Sequence, residues 1–174
     1  MMLAVIAFVL FMMFDLNKIL WNNNKLNNLF TVGIIILGIG SYQAFLSGRT
    51  VMDILSCMAE NIVLVVIAIY GLWKTCAVLF FELPFDETYK KTDKLPLIES
   101  GAYKKCRHPG FWFLLLFYVA VCGTFMSRQA VCFTIAVNLL NFLYIILEDV
   151  YVFPKTIEKY DDYKKRVPFL VPRR

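Results

Sequence analysis

The chain has 174 residues, 60% hydrophobic and 16% aromatic, with a formal net charge of +5. Soluble domains sit nearer about 45–50% apolar, so an ordinary water-soluble globule is excluded and the excess apolar surface must face lipid. The positive charge then belongs with membrane-facing loops and anionic headgroups, not with nucleic acid.

One domain over residues 1–174 is expected: an all-α, polytopic membrane helix bundle of about five transmembrane helices, since each span needs about 20 residues. The first predicted span covers residues 2–20. It is uncharged through Phe14, then meets Asp15 and Lys18, and lacks the basic leader and small-residue cleavage site of a removed signal. A polar turn rich in asparagine follows. The second span, 29–48, is free of charge, and Gly33, Gly40, Ala44 and Gly48 give it a small-residue surface for close helix packing. Residues 49–60 read as a mixed connection. The third span, 61–81, contains only Lys74, which beside Trp73 can snorkel to the headgroups.

The longest polar stretch then runs from Glu82 to Pro109, with Pro84, Pro96, Lys90, Lys91, Lys94, Lys104, Lys105 and Arg107. Spans at 110–127 and 130–148 follow, and the turn at Arg128 and Gln129 is short enough to force an antiparallel hairpin. Residues 149–174 form a charged, helical tail. Five cysteines, an odd number without CxxC spacing, predict neither a disulfide framework nor a zinc site, and no metal is expected. Most Lys and Arg fall on the side of the long loop and the tail, which predicts an external N-terminus and a cytoplasmic C-terminus.

This topology brings two polar knots together. The fourth span starts just after Arg107, His108 and Pro109, and the fifth returns to that face at Glu148 and Asp149. A proline opening a helix sacrifices no hydrogen bond, and the free first-turn amides beside Arg107 favour an anion. His108, the only histidine, reads either as a tautomer-fixed structural partner or as a group titrating near neutrality. Each residue taken alone reads as a headgroup contact or a solvated helix end. Their convergence marks a candidate site. Asn138 and Asn141 share a helix face and either bond across helices or line a cavity beside the acid pair.

Gly101-Ala102-Tyr103 followed by Arg107-His108-Pro109 and Phe111 resembles a motif of membrane methyltransferases, the isoprenylcysteine carboxyl methyltransferases and phospholipid N-methyltransferases. Glu148-Asp149 is similar to their paired acid, Tyr160 and Tyr163 to a Y-x-x-Y element, and Arg166-Val167-Pro168 with Pro172 to their closing motif. The resemblance implies an S-adenosyl-L-methionine site between the last two helices, closed by the tail and reached by a lipid or other lipophilic substrate from the bilayer. It implies that Tyr103, Arg107, His108, Pro109, Phe111, Glu148, Asp149, Tyr160 and Tyr163 line that site. Glu148 would meet the cofactor's ammonium and sulfonium, the aromatic rings its adenine, and Arg166 would orient an anionic acceptor such as an isoprenylcysteine-type carboxylate. Phe113 stands where the motif usually has glycine, and its ring is expected to narrow the pocket. The glycine usual before the Y-x-x-Y element is absent, with Thr156 and Ile157 in that region. The other readings are a phospholipid N-methyltransferase, a sterol-type reductase using NADPH, and a non-catalytic lipid-binding relative.

Overall fold

The structure, a computed structural model, describes residues 1–21, 23–81 and 94–171. The expectations that fall on Glu82, Pro84, Lys90, Lys91 and Pro172 lie outside these residues. Among the described residues, eight α-helices follow in order: α1 (Met2–Leu20), α2 (Leu29–Phe45), α3 (Val51–Glu60), α4 (Ile62–Cys76), α5 (Pro109–Thr124), α6 (Arg128–Leu147), α7 (Phe153–Thr156) and α8 (Tyr160–Arg166). The protein is an all-α bundle. Among the described residues, four helical stretches are long and apolar enough to cross a membrane: Met2–Leu20, Asn24–Phe45, Ile62–Leu79 and Arg128–Thr156. The fifth expected span is shorter. α5 has 16 residues, about 24 Å at 1.5 Å per residue, against a hydrocarbon core of about 30 Å.

Glycines sit at two close helix contacts. A Cβ on Gly33 would stand 2.5 Å from the Phe11 ring of α1, and one on Gly71 would meet the Phe117 nitrogen at 2.9 Å. α1 therefore lies tight on α2, and α4 on the backbone of α5, as small residues at membrane helix interfaces allow. Phe8, Phe11, Phe45, Tyr118, Phe133 and Val137 fill the centre between α1, α2, α5 and α6. Val5, Val9, Ile35, Ile69, Ile135 and Leu139 are exposed on the outer faces, where lipid is the solvent. Lys74 places its ammonium 4.9 Å from the Trp73 ring centre.

Several boundaries differ from the sequence reading. α2 stops at Phe45, and the chain turns through Gly48 in the left-handed region, at φ 79°. The mixed connection is the ten-residue α3, opened by reciprocal bonds between Thr50 and Asp53. Ser127 caps α6 by accepting from the Ala130 amide, so that helix begins at Arg128. The largest difference lies at the other end of α6. The helix does not stop at the acid pair but widens into a π-helical turn, Glu148–Val152, and continues into α7.

Candidate functional site

Three helix ends meet in one layer. α6 delivers Glu148 and Asp149, the start of α5 delivers Arg107, His108 and Pro109, and the end of α1 delivers Asp15. The span counting that predicted the first two is borne out by the contacts. Asp149 is 5% exposed and gathers four partners. Tyr160 donates its hydroxyl at 2.7 Å, His108 Nε2 lies at 3.4 Å, Arg107 Nη1 at 3.2 Å and Lys164 Nζ at 3.2 Å.

His108 is 6% exposed, stacked on Phe153 with ring centres 5.6 Å apart and met edge-on by Phe169 at 5.1 Å. Burial depresses its pKa below the ordinary value, outweighing the opposing pull of Asp149. The ring is therefore neutral at pH 7, and since a carboxylate only accepts, its proton must sit on Nε2 to make the Asp149 contact.

Glu148 points elsewhere, because consecutive helical residues lie about 100° apart. Its carboxylate bonds the Tyr144 hydroxyl and lies close to Asp15 and Lys18. Its nearest approach to His108 is 3.9 Å, at Nδ1. Tyr144 donates to Asp15, itself 6% exposed. One phenolic proton thus serves two carboxylates and can be given to only one at a time. Sequence reasoning did not place Asp15 and Tyr144 here. The available signals were an acid near the end of an otherwise apolar span and a tyrosine one helical turn before Glu148.

The tail closes the layer. The Arg107 amide donates to the Pro168 carbonyl at 3.0 Å, Trp112 donates its indole N–H to the Leu170 carbonyl at 2.9 Å, and Phe169 sits 5.5 Å from the Arg107 guanidinium. Phe111 packs on Phe142 at 6.0 Å, and Phe142 on Phe169 at 6.4 Å, forming an aromatic seam between α5, α6 and the tail. Tyr163 donates to the Tyr103 carbonyl at 2.6 Å. Tyr160 and Tyr163 are both buried, and burial raises both phenol pKa values, so they stay protonated as donors that fasten the tail.

Arg166 is not brought to this layer. Its guanidinium pairs with Glu99 through both terminal nitrogens, one of them at 2.8 Å, on an exposed surface. The expected narrowing by Phe113 does not arise on this side either: its ring meets Tyr70 edge-on at 6.4 Å, and its carbonyl faces Gly71 of α4. The missing glycine has a counterpart in Lys159, which takes the left-handed conformation, φ 57°, just before Tyr160. A cavity of about 480 Å³ lies at the opposite end of α6, against Gly40, Ala44, Arg128 and Phe133, and shares no residue with the acid layer.

Arg107 supplies a test of fit for the implied cofactor. Its Nε and Nη1 are buried without a hydrogen-bond partner among the described residues, although Nη1 lies within ion-pair distance of Asp149. The distance gives attraction, but the N–H is not aligned on the oxygen. Two buried N–H donors beside the α5 N-terminus suit a carboxylate, and Glu148 with Asp15 suits an ammonium. An amino-acid moiety offers both groups. Comparison with family models, with curated proteins and with solved structures finds no match for this chain.

Proposed function

We propose that this membrane protein is an S-adenosyl-L-methionine-dependent methyltransferase acting on a lipophilic acceptor that enters from the bilayer. The observation that carries the reading is the convergence of unsatisfied Arg107 donors and the Glu148–Asp15 acids in one layer at a membrane helix end. The motif resemblance over Gly101–Phe111, Glu148–Asp149 and Tyr160–Pro168 names the cofactor. Arg107 would hold its carboxylate, Glu148 its ammonium, and the Phe111–Phe142–Phe169 seam its apolar and aromatic parts. When bound, the sulfonium supplies an electrophilic methyl group. The chain's own contribution is alignment of the acceptor and exclusion of water by the tail.

The acceptor follows from charge. An isoprenylcysteine-type carboxylate would want a free cation, and the residue expected to supply it, Arg166, is engaged by Glu99. An amine-bearing lipid headgroup suits Asp15, since Glu148 would hold the cofactor's ammonium, and Asp15 would take the proton the amine loses. The acid layer faces the cytoplasm in this reading, with the N-terminus outside, because Lys and Arg concentrate on its side.

Titration of the purified protein in detergent with S-adenosyl-L-methionine and, separately, with NADPH tests the proposal. Saturable binding of the first, weakened by Glu148→Gln and by Arg107→Met, is the expected result. Binding of NADPH alone would point to a reductase, and binding of neither would leave a lipid-binding protein.

A further inference from the structure

The cavity at the far end of α6 is built unlike the acid layer. It holds about 480 Å³, within the range of about 300–1,000 Å³ of sites that take small molecules. Leu3 of α1, Gly40 and Ala44 of α2 and Phe133 of α6 supply its apolar wall. Gly40, Ala44 and Phe133 are buried, so that wall is set into the bundle, while Gln43, Arg128 and Gln129 stand exposed around it. Gly40 is where the three helices close: a Cβ there would lie 3.2 Å from the Leu3 Cβ and 3.3 Å from the Phe133 ring. Twenty residues of helix, roughly 30 Å, separate Arg128 from the acid pair.

The lining carries one charge, and it is positive. Among the described residues the Arg128 side chain makes neither an ion pair nor a hydrogen bond, and no acid lines the cavity with it. Arg49, by contrast, is engaged by the Phe45 and Phe125 carbonyls. The Gln43 carboxamide is likewise without a partner among the described residues, and Gln129 donates to the Gln43 carbonyl at 3.2 Å. A free guanidinium beside amide donors matches the oxygens of a phosphate. The apolar wall asks for hydrocarbon on the same ligand. Exposed apolar rows also lead away from the cavity, Ile39 and Ile35 at four-residue steps from Gln43 on α2, and Ile135 and Leu139 beyond Cys132 on α6. A soluble phosphate would satisfy Arg128 and leave the wall and these rows unused.

We propose that this cavity seats the phosphate and glycerol region of an anionic phospholipid, at the membrane end opposite the acid layer. Arg128 pairs with the phosphate oxygens, and the Gln43 and Gln129 carboxamides bond to the oxygens that remain. The wall of Leu3, Ala44 and Phe133 takes the upper part of a chain, which continues along the apolar rows of α2 and α6. A headgroup with its own ammonium fits less well, because that cation would meet Arg128 and no acid. The seat goes beyond the proposed function: it shares no residue with the acid layer and calls for no cofactor.

Cys132 lines the cavity and is exposed, which makes it a reporter of occupancy. Purified full-length protein in detergent is equilibrated with equimolar phosphatidylglycerol and phosphatidylcholine of the same chains, and retained lipid is weighed by native mass spectrometry. The expected result is about tenfold enrichment of phosphatidylglycerol, the preference that one charge-assisted hydrogen bond gives. In parallel, phosphatidylglycerol alone should slow maleimide addition to Cys132, located by peptide mass, where the same amount of phosphatidylcholine should not. Arg128→Gln, a change to an exposed side chain, should abolish both effects. Equal retention of the two lipids by the unaltered protein would overturn the proposal without reference to any variant's folding. Enrichment that leaves Cys132 labelling unchanged, or that survives Arg128→Gln, would overturn it as well. Protection of Cys132 by inorganic phosphate equal to that by phosphatidylglycerol would reduce the cavity to a soluble-anion site and overturn the lipid assignment.

Discussion

The two neighbouring acids of the wide turn have opposite surroundings. Asp149 is surrounded by Arg107, His108, Tyr160 and Lys164, which come from the loop before α5 and from the tail. Glu148 looks the other way, towards Tyr144 and a second acid, Asp15. The first carboxylate holds the tail to the bundle, and the second lies beside another acid, Asp15, with Lys18 as a nearby cation. A paired acid read from sequence suggests two equivalent ligands. The structure divides them into an anchor and a binding group.

The sharpest way to break this division is to neutralise each acid in turn. Asp149→Asn leaves buried cations without their partner and should cost about 3–5 kcal/mol in thermal unfolding. Glu148→Gln should stay within about 1 kcal/mol of the unaltered protein yet weaken S-adenosyl-L-methionine binding by at least about tenfold, a difference of about 1.4 kcal/mol. If the two variants exchanged effects, the assignment of anchor and binding group would be reversed.

His108 belongs to the anchor side and adds a pH dependence. Its folded pKa lies below the ordinary 6.5, so on acidification the unfolded chain takes up the proton first. Stability should therefore be full above 6.5 and fall as the pH drops below it, and His108→Gln should flatten that part of a melting curve followed against pH. Lys159 tests the tail backbone. Lys159→Gly relieves a left-handed residue and should raise stability by about 1 kcal/mol, where a β-branched residue would lower it. Arg166→Ala should leave both stability and cofactor binding close to unchanged, since its pair with Glu99 is exposed and screened. A large loss of binding there would restore Arg166 to the site.

Much of the layer was legible because span counting needs only hydropathy and a short turn. Arg107, His108, Glu148 and Asp149 came together for that reason, though loop and helix end are 41 residues apart in the His108–Asp149 contact. Asp15 was not legible: its bond to Tyr144 joins residues 129 apart, and no local pattern reports which face of α1 turns towards α6. Arg166 was misplaced because Glu99 lies in a stretch without periodicity, where nothing in the sequence announces a partner. Helix ends shifted where single residues decide them, at the Ser127 cap and the Gly48 turn. The continuation past Glu148 was hidden because hydropathy does not register one surplus residue in a turn.

That surplus residue gives the site a simple genetic handle. A π-helical turn is an α-helix with one residue inserted, so deleting a single codon within Glu148–Val152 would restore an ordinary helix. Everything beyond the deletion would rotate by about 100° and retreat by about 1.5 Å. Phe153 would leave the His108 ring, and Tyr160 and Lys164 would leave Asp149. Variants of this chain differing by one residue in that turn would keep their membrane helices and lose the closed layer.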